Sequence, residues 1–247
     1  MKKASKLALA GFLALVMAGS LVGPADSATP KPAYVRVVHN YFSDAVPAPA
    51  RVDIKAVRPG QNLGAAAPVA TVAYGAITRY LKLPASGDWV LGVFLAGTST
   101  KVAEVKVTLA DWSRTTALAR RASTTNQAFN LEFLADGFSR KPPAGQANVR
   151  VIHGIAASAA DNVRIGAAGV GCLLGPVSFP ANATLNVPAG TYTIGVYPGS
   201  DMTCSGAPLP GLSATLTLDA NAAYTAIAQF NYPDSGFRLK AVLDQRY

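Results

Sequence analysis

The stretch Ala33-Tyr34-Val35-Arg36-Val37-Val38-His39 returns 114 residues later as Ala147-Asn148-Val149-Arg150-Val151-Ile152-His153. Five of the seven positions are identical, and Val38/Ile152 is a conservative exchange. On strand alternation, Val35, Val37 and His39 share one face, while Tyr34, Arg36 and Val38 share the other. The second copy sets Val149, Val151 and His153 against Asn148, Arg150 and Ile152. Each histidine is thus expected on the face of the core valines at the strand's end, with the arginine pointing away. A founding strand written twice implies a domain written twice.

Working outward, other segments echo in the same order. A Pro/Ala-rich loop, residues 40–50, leads to the alternating run Arg51 to Val57, answered by Asn162-Val163-Arg164-Ile165. Val69 to Leu83 reads as two strands broken near Gly75. Leu83-Pro84-Ala85 turns into a strand carrying Trp89, as Val187-Pro188-Ala189-Gly190 turns into one carrying Tyr192. Thr100 to Leu109 alternates with one slip, Leu109 to Ala119 aligns without a gap on Leu218 to Ala228, and the copies close on residues 129–133 and 237–241. Each copy holds roughly seven short strands separated by turn residues, and no stretch keeps a helical period. The expected fold is all-β: two tandem antiparallel β-sandwich domains, Ig-like or transthyretin-like. The boundaries are 33–136 and 147–247, joined by a proline-stiffened linker over 137–146 that restricts the angle between them.

The N-terminus reads as a signal peptide, residues 1–27, followed by a short leader, 28–32. Lys2, Lys3 and Lys6 precede the apolar run Leu7 to Ala18, and Ala25-Asp26-Ser27 is a small-residue exit. With no second long apolar run, no transmembrane span is expected in the mature chain. The predicted location is outside the cytoplasm: periplasmic, cell-surface or secreted. In that setting the only two cysteines, Cys172 and Cys204, are expected to form one disulfide. Charged residues make up only 14% of the chain, yet net charge is +9. Basic residues are spread along it, which suits loose attraction to an anionic envelope better than a dedicated binding stripe.

These motifs resemble a family of secreted bacterial repeats known as a domain of unknown function. Its members open on V-R-V-x-H-x-S-P-D-A-P-x-V-D-V and later carry V-P-A-G-x-Y. The matches here are Val35 to His39, Ser43-Asp44-Ala45, Val52-Asp53-Ile54 and Val72 to Gly75, with Val187 to Tyr192 and Ala223 to Ala228 in the second copy. The resemblance implies envelope-associated β-sandwiches in tandem and carries no assigned activity. Two departures stand out: Thr115-Thr116 is set against Ala223-Tyr224, and the second copy retains only Asp161 from the Ser-Pro-Asp-Ala-Pro loop.

Chemistry-bearing patterns are few. His39 and His153 recur, with Asp44 or Asp161 placed to orient a ring. A metal site needs three or four converging ligands, so a structural hydrogen bond is the plainer role. Aromatics interleaved with cations, Tyr74, Arg79, Tyr80 and Lys82, and separately Trp112 and Arg114, could stack on a polymer. Tyr80 and Trp89 could equally cap the sandwich core. No nucleophile elbow, phosphate loop or paired-carboxylate pattern is present.

The sequence therefore predicts a non-catalytic envelope module that binds or spaces an envelope protein or an anionic wall or surface polymer. It predicts no cofactor, no metal and no specific nucleic acid. The alternatives are a charge-driven binder of an anionic polymer or nucleic acid, and a metal-dependent enzyme using His39 and His153. Oligomeric state is not legible in the sequence.

Overall fold

The computed structural model describes residues 29, 31–41, 51–136, 141–157, 160–231 and 236–247. The signal-peptide region, the loop holding Asp44 and positions 137–140 of the linker lie outside these residues. The first unit contains β1 (Ala33–His39), β2 (Val52–Val57), β3 (Ala70–Val72), β4 (Leu81–Leu83), β5 (Gly87–Leu95), β6 (Lys101–Leu109), β7 (Arg114–Arg121) and β8 (Phe129–Ala135). The second contains β9 (Gln146–His153), β10 (Asn162–Ala167), β11 (Gly171–Ser178), β12 (Asn182–Pro188), β13 (Gly190–Pro198), β14 (Ser213–Leu218), β15 (Ala222–Asn231) and β16 (Gly236–Arg246).

The fold is all-β, in two sandwich-like units built the same way. In the first, sheet β4-β1-β7-β8 packs on sheet β3-β2-β5-β6; in the second, sheet β12-β9-β15-β16 packs on β11-β10-β13-β14. Val35, Val37, Ile54, Trp89 and Val93 fill the first core, and Val149, Val151, Ile165, Val196 and Leu218 the second. The founding strand thus turns its valines inward in both units, as alternation requires. The slip in β6 has a physical form: the ladder shifts register at Val93/Phe94, which leaves Val102 exposed and Ala103 facing the core.

Each unit is antiparallel except for one pair. β1 runs parallel to β7, and β9 parallel to β15. A parallel neighbour requires a crossover, which the chain supplies by leaving β1, building the whole of the other sheet and returning as β7. That route also fixes the alignment of the repeats: Arg36 pairs with Thr116 and Arg150 with Thr225. Thr116 is therefore the counterpart of Thr225, as the gapless alignment of Leu109 to Ala119 on Leu218 to Ala228 has it, and not of Tyr224 as in the pairing of Thr115-Thr116 with Ala223-Tyr224. The linker expectation shifts by one residue too, since β9 already begins at Gln146.

The opposite face of the founding strand is not a solvent face. Arg36 and Arg150 are only 2% and 1% exposed, and Val38 and Ile152 are fully buried. Val38, Leu118, Ile152 and Ile227 form a separate apolar cluster in which the two units contribute matching residues. Sheets β4-β1-β7-β8 and β12-β9-β15-β16 thus meet along a seam, each buried on both faces. At that seam Gly154 accepts a bond at its carbonyl from the Asn40 amide at 2.6 Å, and a Cβ on Gly154 would lie 2.5 Å from the same amide nitrogen. Asn40 and Gly154 are equivalent positions, and the space admits one side chain between them.

Cys172 and Cys204 are joined, with Cα atoms 5.0 Å apart, tying the start of β11 to the loop after β13. Closing a loop of about 30 residues stabilises a fold by roughly 3–4 kcal/mol in the chain-entropy model. The Cys172→Ser, Cys204→Ser double variant is expected to lose about that much in urea unfolding, with the loss confined to the second unit's transition.

Candidate functional site

The most elaborate polar arrangement lies within the seam and is built from duplicated residues. Arg36 reaches out of the first unit to the Asp244 carboxylate of β16 and donates to the Thr225 hydroxyl at 2.7 Å. Arg150 reaches the other way, pairing with Asp136 at 2.5 Å and donating to the Thr116 hydroxyl at 2.8 Å. Thr116 accepts a second bond from Arg36 Nε at 2.9 Å and donates to Asp136 at 2.8 Å, so its hydroxyl is fully used. Thr225 donates to Asp244 at 2.6 Å. Two guanidinium groups and two carboxylates thus neutralise each other in reciprocal exchange. Burial pushes the Asp244 carboxyl above its ordinary range, opposed by Arg36 and the Thr225 hydroxyl.

Sequence reasoning missed this network, though a signal was present. Arg36/Arg150 are duplicated in the founding strand, Thr116/Thr225 align without a gap, and Asp136 and Asp244 each stand seven residues past Phe129 and Phe237. Three polar residue types repeated on faces turned away from the valines mark a second buried surface.

The aromatic and basic candidates divide. Tyr80 donates to Asp136 and lies beneath Arg36, whose guanidinium carbon is 5.1 Å from the ring centroid. Burial raises its pKa well above the ordinary phenol range. Tyr74 donates to the Phe230 carbonyl at 3.2 Å, and burial pushes its pKa up to about 12. Both rings therefore belong to the seam rather than to an open platform. Arg79 and Lys82 are exposed, whereas Arg114 is half-buried over Tyr80 at 5.6 Å. Trp112 is 60% exposed.

His153 is held by backbone. Its Nε2 bonds the Ala160 carbonyl, and its Nδ1 accepts from Ile155 N–H at 3.3 Å, which assigns the neutral Nε2–H tautomer. Burial lowers its pKa, opposed by the bond to Ala160 and by the Asp161 charge. With both nitrogens engaged, the ring clamps the loop after β9. His39 is buried in the first unit, edge-on to Tyr74 at 5.7 Å between centroids. Among the described residues, no group of three or more His, Cys, Asp or Glu is placed to hold a metal ion.

Among the described residues, openings are present in both units. A groove of about 380 Å³ on the outer face of the first unit runs between the 59–64 loop and Lys101, Glu104 and Lys106. In the second unit an apolar slit of about 20 Å³ lies among Leu173, Leu185, Tyr192 and Leu216. Tyr192 stands there at the position that Trp89 occupies in the first core.

The fold and the seam together define a duplicated β-sandwich protein whose two halves are fastened through equivalent sheets. The chain belongs to the family described as a domain of unknown function (DUF4397), whose signature matches residues 33–166, from the first residue of β1 into β10. No curated protein matches the sequence. Similar solved structures include a carbohydrate-binding module from Eubacterium rectale, at 8% identity over 87% of this chain and 98% of that one, with a TM-score of 0.25. Another is a candidate cell adhesion protein from Bacteroides ovatus, at 12% identity over 88% of this chain and 98% of that one, also with a TM-score of 0.25. At such scores the likeness is loose and says nothing about activity.

Removing one partner of a buried ion pair strands the other charge, at a cost of roughly 3–5 kcal/mol. Asp244→Ala is expected to lower stability by that order in urea unfolding, and Arg36→Met combined with Asp244→Leu to recover most of the loss. The lowered His153 pKa gives a second expectation. Below the unfolded-state value of 6.5 the unfolded chain takes up a proton that the folded ring refuses, so stability falls as pH drops from there. Thermal melts of the wild type between pH 8 and 5 should show this loss, and His153→Gln, which does not titrate, should show less of it.

Proposed function

We propose that this protein is an exported, non-catalytic binding module that recognises a cell-envelope protein or surface polymer with its outer faces. The observation carrying this reading is the reciprocal Arg36–Asp244 and Arg150–Asp136 exchange. It commits the strongest array of charged groups in the described interior to fastening one sandwich to the other. The buried histidine for which both ring contacts are known, His153, is likewise occupied by backbone. What the fastened pair offers a partner is surface: two outer sheets and the loops at their ends, held in one fixed relation. Without Lys2, Lys3, Lys6 and Asp26, residues 28–247 keep a net charge of +7, which adds a general attraction to anionic envelope material.

The mature protein, residues 28–247, immobilised and exposed to solubilised envelope fractions, is expected to retain a polymer or protein across 50–200 mM salt, with affinity falling less than about tenfold. A fall of roughly 10³-fold or more over that range would instead mark a purely charge-driven binder. Retention of nothing at any salt concentration would overturn the binding reading.

A further inference from the structure

Among the described non-glycine residues, three adopt positive φ: Cys204, Asn221 and Trp112. Cys204 is held by its disulfide, and asparagine is suited to the left-handed region. Trp112 has no such licence. Its φ of +57° equals that of Asn221, and the two occupy the same turn in the two repeats. Trp112 N–H donates to the Pro32 carbonyl at 2.8 Å, and Asn221 N–H donates to the Gln146 carbonyl at 2.9 Å. The duplicated turn therefore demands a left-handed residue. The second copy supplies one that fits, whereas the first supplies the bulkiest side chain and leaves it 60% exposed. Neither folding nor packing of the turn accounts for that choice. A strained, exposed aromatic is what a recognition site retains.

The surroundings indicate the chemistry. Three segments converge at this end of the first unit. Ser86 N–H donates to the Lys31 carbonyl at 2.6 Å, and the Ser86 hydroxyl donates to the Asp111 carboxylate. Arg58 donates to the carbonyls of Ser86 at 2.9 Å and Asp88 at 2.8 Å, while stacking on Trp89 with its guanidinium carbon 4.2 Å from the ring centroid. Lys31 and Asp111 are exposed, and Arg58 is half-buried. An exposed indole thus lies on the segment that backbone bonds bring beside Pro32, Lys31 and Ser86, with the Asp111 carboxylate held by the Ser86 hydroxyl and the Arg58 guanidinium held by two backbone carbonyls.

We infer that Trp112, with Asp111, Ser86, Arg58 and Lys31, forms a binding site for a pyranose unit of an envelope glycan. The indole takes the C–H face of the sugar ring, and the polar groups take its hydroxyls. A membrane-docking tip would need further apolar side chains around the indole and no carboxylate beside it to repel anionic headgroups. The inference rests on the reading of the chain as a binding module and names the ligand class for one of its surfaces.

The chain's two tryptophans make the test direct, because Trp89 is buried and Trp112 is exposed. Intrinsic fluorescence of residues 28–247 is followed while titrating chitohexaose, cellohexaose or maltohexaose, and separately phosphatidylglycerol vesicles. The expected result is a saturable change with at least one oligosaccharide. Trp112→Asn, the residue used by the second repeat, should weaken that binding roughly tenfold or more, as loss of a stacking platform does, when followed by calorimetry. The same variant should melt at a higher temperature than the wild type because it relieves the backbone strain. Absence of binding to all three sugars, unchanged affinity in Trp112→Asn, or a lower melting temperature would each overturn the inference, as would Trp112-dependent binding to vesicles alone. If the envelope pull-down still retains a partner in any of those cases, only the glycan site fails and the binding-module reading stands.

Discussion

The structure depends on a reciprocal exchange of charge across the seam. Each sandwich sends the arginine of its founding strand into the other, where an aspartate and a threonine receive it. A buried ion pair seldom stabilises a protein more than a well-packed apolar contact, but it penalises every arrangement in which the partners miss. Val38, Leu118, Ile152 and Ile227 supply the apolar contact beside the network. The charges specify the register at which those residues meet. An apolar interface alone would tolerate sliding; one with four buried charges and two hydrogen-bonded hydroxyls does not.

The fold was legible because its signals are local and repeated. Alternation in residues 33–39 and 147–153, the Pro-Ala-Gly turns and the strand spacing all concern neighbours along one strand or turn. Arg36 shows where legibility ended. Its parity was read correctly as facing away from the valines, but a polar residue opposite a core face reads as solvent-exposed unless its partner is known, and Asp244 is 208 residues away. Tyr74 and Tyr80 mark the same limit: the sequence leaves Tyr80 open between a polymer surface and a core cap, and both rings lie at the seam. Cations near aromatics in sequence suggest a surface, and only the packing of one sheet on the other reveals a seam. Trp112 was singled out with Arg114, but Arg114 turned to the seam while Trp112 did not.

The two copies also serve as controls for each other. Where a position is constrained by the fold alone, the copies agree: the valines, the histidine and the left-handed turn recur. They differ where the pseudo-symmetric partners would collide, as at Asn40 and Gly154, or where one copy carries something the fold does not need. Trp112 against Asn221 is of the second kind. Trp89 against Tyr192 lies between them, since the smaller ring stands beside an apolar slit in the second core.

The connection of Arg36 to Asp244 also bears on the order of events in folding. It joins the opening strand of the first sandwich to the closing strand of the second. Chain entropy opposes closing so long a loop until both ends are already presented by folded sheets. Each sandwich has to bring its own first and seventh strands together in parallel before its half of the seam exists. Docking is therefore the last step. Until it occurs, Arg36, Arg150, Asp136 and Asp244 remain hydrated on the faces of two separate sheets, and their charge limits premature association of those faces with other chains.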